Sequence, residues 1–267
     1  MTASVYERFR ALHQGPAAFI MPNVWDGVSA LMMRDAGFAA IGSSSFAYGA
    51  TRGLPDVSTR LGRTESIVHA AWLGDMAKLP VNGDLADGFG PAADDCVATV
   101  EASIAGGLAG LGIEDATGNP SAPIHEFDAA VRRIEAAARA AHGRIVLTAR
   151  ADNFLCGRAD LDDTIRRLTA FAEAGADVLY APGLPDMESI RRAVHAVAPK
   201  PVNVLIGPRV SLAELEAAGV RRVSLGAALY RVAMGALAHS AAALSAGDLP
   251  AAVAGAIPGK DLQRLLG

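Results

Sequence analysis

Cysteine is scarce: Cys96 and Cys156 are the only two in 267 residues. That is too few for a disulfide scaffold, and they lack the paired spacing of a zinc site, so both are expected to be reduced thiols. No strand, Gly-x-Gly-x-x-Gly, helix fingerprint is present, which leaves a dinucleotide site without support. No stretch of 18 or more residues is uninterruptedly apolar, and Met1 to Gln14 carries Glu7, Arg8, Arg10 and His13 instead of an apolar signal core. No membrane partner is therefore expected, and the expected location is cytoplasmic. Positive charge is not in excess either: 24 Lys and Arg face 28 Asp and Glu, for a formal charge of −4. With the basic residues scattered through helical patterns, there is no broad field for nucleic acid. Small molecules remain as the expected partners.

What is there is a repeated unit. A chain that is 51% hydrophobic can bury a large core, and one domain over residues 1–267 is expected. Short apolar runs recur at Ala17 to Met21, Ala39 to Ile41, Pro80 to Gly83, Gly110 to Ile113, Ile145 to Ala149, Val178 to Tyr180, Val202 to Leu205 and Val223 to Leu225. Amphipathic helical patterns lie between them, at Asp26 to Ala36, Thr64 to Lys78, Asp94 to Ala105, Glu126 to Ala141, Leu161 to Ala174, Met187 to Val197 and Ser211 to Ala218. Glycines such as Gly37, Gly106 and Gly175 follow the helices in the C-cap role. Eight strand and helix alternations predict an α/β fold closed into a (β/α)8 TIM barrel. An alanine-rich helical extension follows from about residue 231 and is expected to pack on another subunit.

In such a barrel, polar residues at the carboxyl ends of the strands share one face. The chain supplies Asn23, Trp25 and Asp26; Ser43, Ser44 and Ser45; Asp84 and Asp87; Glu114 and Asp115; Arg150, Asp152 and Asn153; Tyr180; Asn203; and Ser224 with Gly226. Asn23 and Asp26 also read as helix caps. The three serines read either as a turn or as a carboxylate cradle. Two carboxylates, Asp84 and Glu114, just past buried strands are costly to desolvate unless water, a cation or a hydrogen bond compensates. Magnesium suits them, because it needs only one or two protein carboxylates plus water and substrate oxygens; manganese is the substitute. Arg150 at a buried strand end calls for a carboxylate or oxyanion, whether from substrate or from Glu114.

Five motifs then carry a resemblance. Pro22-Asn23-Val24-Trp25-Asp26, the Gly42 to Ser45 loop, Asp84-Leu85-Ala86-Asp87-Gly88-Phe89-Gly90, Ile113-Glu114-Asp115-Ala116-Thr117-Gly118 and Thr148-Ala149-Arg150-Ala151-Asp152-Asn153-Phe154 stand in the same order as in the isocitrate lyase and phosphoenolpyruvate mutase superfamily. The chain resembles that superfamily from about Phe9 to about Arg231. The resemblance implies a magnesium-dependent barrel, a homo-oligomer (dimer or tetramer) with a swapped C-terminal helix, and chemistry at C3 of a pyruvate-like unit. It implies that Asp84 binds the metal, that Asp56 lies beside it, and that Glu114 holds metal-bound water. Arg150 would sit on the substrate carboxylate or enolate oxygen, and Ser44 and Ser45 on the substrate carboxylate.

The chain also departs from the pattern. Where the lyases carry a lid cysteine and the mutases a lid lysine, it has Glu114-Asp115-Ala116-Thr117-Gly118-Asn119-Pro120. Ala86 replaces the second aspartate of the Asp-x-Asp pair, leaving Asp87 as the candidate one place along, and Tyr180-Ala181-Pro182-Gly183 stands where a histidine is usual. Tyr180 is then the candidate proton donor, ahead of Cys156 and His125. Catalytic candidates are Arg150, Glu114 and Tyr180; substrate-binding candidates are Ser43, Ser44, Ser45, Asn153 and Asn203; metal candidates are Asp84, Asp56, Glu114 and Asp87. The expected activity is carbon-carbon lyase chemistry on a small carboxylate with a 2-oxo or 2-hydroxy acid unit. The alternatives are phosphonomutase chemistry and an oxo-acid-binding barrel without turnover.

Overall fold

All eight expected strands form, and the first, expected to end at Met21, resumes beyond Pro22 as a second short strand. The computed structural model describes residues 3–55, 61–207 and 210–267. β1 (Phe19–Met21) and β2 (Asn23–Val24) flank the proline, whose missing N–H cannot serve a ladder. The remaining strands are β3 (Ile41–Ser43), β4 (Val81–Asp84), β5 (Gly110–Glu114), β6 (Val146–Arg150), β7 (Val178–Tyr180), β8 (Val202–Leu205) and β9 (Arg222–Ser224). The second expected strand lies two residues further along, at β3. All pairs are parallel, in the order β1-β9-β8-β7-β6-β5-β4-β3-β2. Because β1 and β2 adjoin in the chain, this order closes a barrel: β1 pairs with β9 through Ile20 and Val223, and β2 pairs with β3 through Asn23 and Gly42.

Twelve helices alternate with or follow the strands among the described residues: α1 (Val5–Gln14), α2 (Gly27–Asp35), α3 (Ser45–Thr51), α4 (Arg63–Ala77), α5 (Ala93–Ala105), α6 (Phe127–Ala141), α7 (Leu161–Glu173), α8 (Met187–Val197), α9 (Leu212–Ala217), α10 (Ala228–Ser245), α11 (Leu249–Ala252) and α12 (Gly259–Leu266). Strand side chains alternate between two environments, as period-2 geometry requires. Leu111, Ile113 and Leu147 point outward into the core shared with Leu73, Leu168 and Phe171. Full burial of each such side chain contributes about 1.5–3 kcal/mol.

The other face points into the barrel, and its lower end is closed by α1. Ser4 and Glu7 cap this helix reciprocally, and Phe9 and His13, one turn apart, turn inward with ring centroids 4.7 Å apart. Phe9 packs with Met21, Ala40, Ala109, Val146 and Val178. The plug depends on Gly110, because a Cβ there would stand 2.5 Å from the Phe9 ring. At the other end of the chain α10 buries no residue, and Val232 and Leu237 stand 70% and 62% exposed. α12 is tied to α2 by a two-pronged pair between Arg264 and Asp35. No helix among the described residues is long and apolar enough to cross a membrane.

Candidate active site

Asp84, Glu114, Arg150 and Tyr180 are the last residues of four neighbouring strands, and the register sets Glu114, Arg150 and Tyr180 side by side. Above them opens a cavity of about 710 Å³, which all four line. Arg150 is the centre of the group. Its Nε and Nη2 grip both oxygens of Asp152 at 3.2 and 2.9 Å, while Nη1 reaches Asp84 at 3.1 Å and Glu114 at 2.8 Å. Three N–H donors of the guanidinium are thus hydrogen-bonded to Asp152 and Asp84, and Glu114 is held to Nη1 as an ion pair. Three acids face one base, and the consequences are visible in their acidity. Burial pushes Glu114 well above the ordinary carboxyl range; Arg150 opposes this, and Asp152 and Asp84 add to it. Burial likewise raises Asp152 against the pull of Arg150. Burial alone would lower Arg150, but the three acids more than offset it and hold the guanidinium charged.

The serine loop completes one wall. Ser43 Oγ accepts from the Asp84 amide at 2.9 Å. Ser44 caps α3, accepting from Ala47 N. Ser45 directs both its amide, at 2.9 Å, and its hydroxyl, at 2.8 Å, to Asp84 Oδ2. Asn23 fixes the loop by donating to Ser43 O and accepting from the amides of Leu225 and Gly226, whereas Asp26 caps α2. On the opposite wall the Tyr180 ring lies under Arg150, with the guanidinium carbon 5.3 Å from its centroid. Burial pushes the Tyr180 hydroxyl up to about 12, so it is a neutral donor at physiological pH. Asn203 lies deeper, donating to Ser224 Oγ.

Two candidates are not brought into the cavity. The Asp87 carboxylate turns back to accept from Phe89 N at 2.9 Å, because the loop takes left-handed backbone at Ala86, Gly88 and Phe89. Its carbonyl is held by Arg133. Asn153 donates to Asp163 at 2.8 Å and borders a separate hollow beside Arg158 and Arg166; the first turn of α7, not the substrate space, claims it. Asp56 lies outside the described residues. Cys156 donates to Pro123 O, and burial holds its thiol up at about 11, so it is not a thiolate. His125 is half-buried. Its Nε2 is buried without a partner among the described residues.

Asp152 and Arg222 are the residues that sequence reasoning underrated. Asp152 was visible as an acid two places after Arg150, and in the structure it is the two-pronged partner. Arg222 interrupts the run from Val220 to Leu225 inside a buried strand, a signal as plain as Arg150 itself. It lies at the cavity floor.

The donor set fits a hard divalent cation. Asp84, Glu114 and Asp152 carry three formal negative charges against the single charge of Arg150, all their ligating atoms are oxygens, and the surplus is what such an ion relieves. Among the described residues no three His, Cys, Asp or Glu side chains converge as a ligand set, so Asp84 and Glu114 would hold the ion together with water.

Comparison with known proteins agrees with this geometry. The model of the phosphoenolpyruvate phosphomutase family matches residues 9–245. A 2-methylisocitrate lyase of Bacillus subtilis is 30% identical over 199 residues, which are 71% of this chain and 64% of that protein. Oxaloacetate decarboxylase 2 of Pseudomonas fluorescens is 32% identical over 232 residues, covering 83% of this chain and 78% of the relative. Among solved structures, a Burkholderia cenocepacia protein described as a lyase or mutase superposes with a TM-score of 0.93 at 43% identity, over 98% of this chain and 95% of its own.

Proposed function

The chain belongs to the phosphoenolpyruvate phosphomutase family, and from that premise we propose that it is a magnesium-dependent lyase that cleaves a carbon-carbon bond in a small 2-oxo or 2-hydroxy carboxylic acid. The observation that carries the reading is Arg150, a charged guanidinium that lines the cavity among three carboxylates and beside a neutral Tyr180. Cleavage next to a carbonyl leaves an electron pair that must settle on oxygen. Arg150 supplies a fixed positive donor for that developing charge, in a site whose burial strengthens the interaction. When bound between Asp84 and Glu114, magnesium supplies Lewis-acid polarisation of the substrate oxygens. Ser45 lines the cavity with its amide and hydroxyl on Asp84 Oδ2, and these donors would turn to the substrate carboxylate once Asp84 engages the metal. Tyr180, kept protonated by burial, delivers the proton that the released carbon or oxygen requires. The segment from Ala116 to Ile124, closed by a bridge between those two residues and bringing Gly118 to the cavity, covers the mouth against water.

Carbon-carbon cleavage is favoured over phosphonomutase chemistry because the covering segment offers no lysine for a migrating phosphoryl group. Decarboxylation of a 2-oxo acid makes the fewest demands, an electron sink and a proton. Retro-Claisen cleavage also consumes a water that must lose a proton as it adds to the carbonyl, and retro-aldol cleavage of a 2-hydroxy acid needs a base for the hydroxyl. The test is incubation with magnesium and a panel of oxaloacetate, 2-methylisocitrate, isocitrate, dimethylmalate and phosphonopyruvate, following pyruvate, succinate, oxalate and phosphoenolpyruvate. Release of a carbon fragment from at least one carboxylic acid, lost in Arg150→Gln, is expected. Conversion of phosphonopyruvate to phosphoenolpyruvate alone selects the mutase reading, and silence across the panel selects a binding protein.

A further inference from the structure

Barrels of this class usually fill their interior with branched apolar side chains. Here the positions two residues below Asp84, Glu114, Arg150 and Ser224, and so on the same inward face, are Asn82, Gly112, Thr148 and Arg222, and all four border the cavity. Arg222 is 1% exposed. Its Nε donates to Asn203 Oδ1 at 3.0 Å, its Nη2 to Thr148 Oγ1 at 3.0 Å, and its Nη1 lies 3.3 Å from His13 Nε2. His13 Nδ1 stands 2.9 Å from the Phe9 carbonyl, which only accepts, so the ring proton is on Nδ1 and Nε2 is a neutral acceptor.

None of these partners is a carboxylate. Burial accordingly pulls the Arg222 guanidinium down to about 9, with only Tyr180 opposing. A buried cation served only by neutral acceptors is expensive, and two of its five N–H donors remain uncommitted. On the same floor the buried Asn82 Oδ1 has no partner among the described residues. Turning the amide over would leave a donor unsatisfied in its place, so either orientation leaves hydrogen-bonding capacity unused at a residue that lines the cavity.

We propose that Arg222, assisted by Asn82, forms an anion subsite on the barrel floor that receives a second carboxylate of the substrate, so that the site selects a dicarboxylate over a monocarboxylate of the same shape. The inference rests on the lyase reading above and adds to it the substrate's second charge. Arg231 also borders the cavity, but it is exposed at the rim, where water screens it; Arg222 acts in a desolvated setting.

Calorimetric titration of the magnesium-loaded protein tests this with three ligands. Oxalate, whose two carboxylates together form the metal chelate, has no further carboxylate to send to the floor. Malate and 2-hydroxybutyrate differ only in that a methyl replaces the distal carboxylate. The protein should bind malate at least about tenfold tighter than 2-hydroxybutyrate, as expected for a charge-assisted pair. Arg222→Met should erase that preference and leave oxalate affinity unchanged. Arg222→Lys, which keeps the charge, should retain most of the preference, and Asn82→Ala should narrow it without touching the buried cation. Circular dichroism and thermal melting confirm folding of each variant. If Arg222→Met does not fold, the wild-type ratio and Asn82→Ala decide. A wild-type protein that binds oxalate but treats malate and 2-hydroxybutyrate alike overturns the subsite alone, as does a preference that survives Arg222→Met or disappears in Arg231→Ala. A wild-type protein that binds none of the three removes the lyase reading and the subsite with it.

Discussion

Replacing Arg150 by glutamine leaves Asp84, Glu114 and Asp152 around a neutral amide, with side chains only 24%, 10% and 5% exposed. Removing one partner of a buried pair costs about 3–5 kcal/mol, because the charge left behind has neither water nor a counterion. Carboxylates have an escape, which is to take up protons. Glu114 and Asp152 already lie above their ordinary range with the guanidinium present, and its loss lifts them further. A group whose folded pKa exceeds its unfolded value favours the folded state below the unfolded pKa, about 4 for these acids. That stability is lost as pH climbs through the folded pKa. The deficit of Arg150→Gln relative to wild type should therefore be small near pH 4.5 and should approach the full ~3–5 kcal/mol by pH 7.5. Urea denaturation at pH 4.5, 6.0 and 7.5, without metal, measures it directly. An equal deficit at all three values would show that the carboxylates are not the source of the strain, and the electrostatic account of the site would fall.

Magnesium at a hundredfold excess over its dissociation constant should raise the melting temperature by about 5 °C; differential scanning fluorimetry should show the rise abolished by chelator and by Asp84→Asn. Phe9→Ala should cost about 3–5 kcal/mol by opening a void beneath the barrel, measured by denaturation, and a loss below 1 kcal/mol would show that α1 is not a plug. Cys156→Ser should keep full turnover, and alkylation of the wild-type thiol should reach half its maximal rate only near pH 11; rapid reaction at pH 8 would contradict the half-buried, protonated thiol.

The barrel was legible because each strand is a short, mostly apolar or glycine-containing run between two helical patterns, and these features are local. Asp84, Glu114 and Arg150 were legible for the same reason, since a charge at the end of a buried strand has few places to point. Asp87 and Asn153 were not, because their directions are set by non-local matters: left-handed backbone from Ala86 to Phe89, and the competing carboxylate of Asp163. The helix α1 escaped notice although Phe9 and His13 stand at helical spacing, since a single turn of apolar residues does not reveal that it corks a barrel. The division of the first strand was implicit in Pro22, but its meaning depends on two neighbours, β9 and β3, that are distant in the chain.

That division gives the cylinder a seam. On one side of it the ladder bonds run only to β9, on the other only to β3, and near the cavity the join is stitched by one side chain, Asn23, which clasps Ser43 on one lip and the amides of Leu225 and Gly226 on the other. If the wall breathes, it unzips there, and the gap would part the serine loop from the Ser224 corner. Amide exchange at Leu225 and Gly226 would register that opening ahead of the rest of the barrel, and cutting the stitch with Asn23→Ala would quicken it.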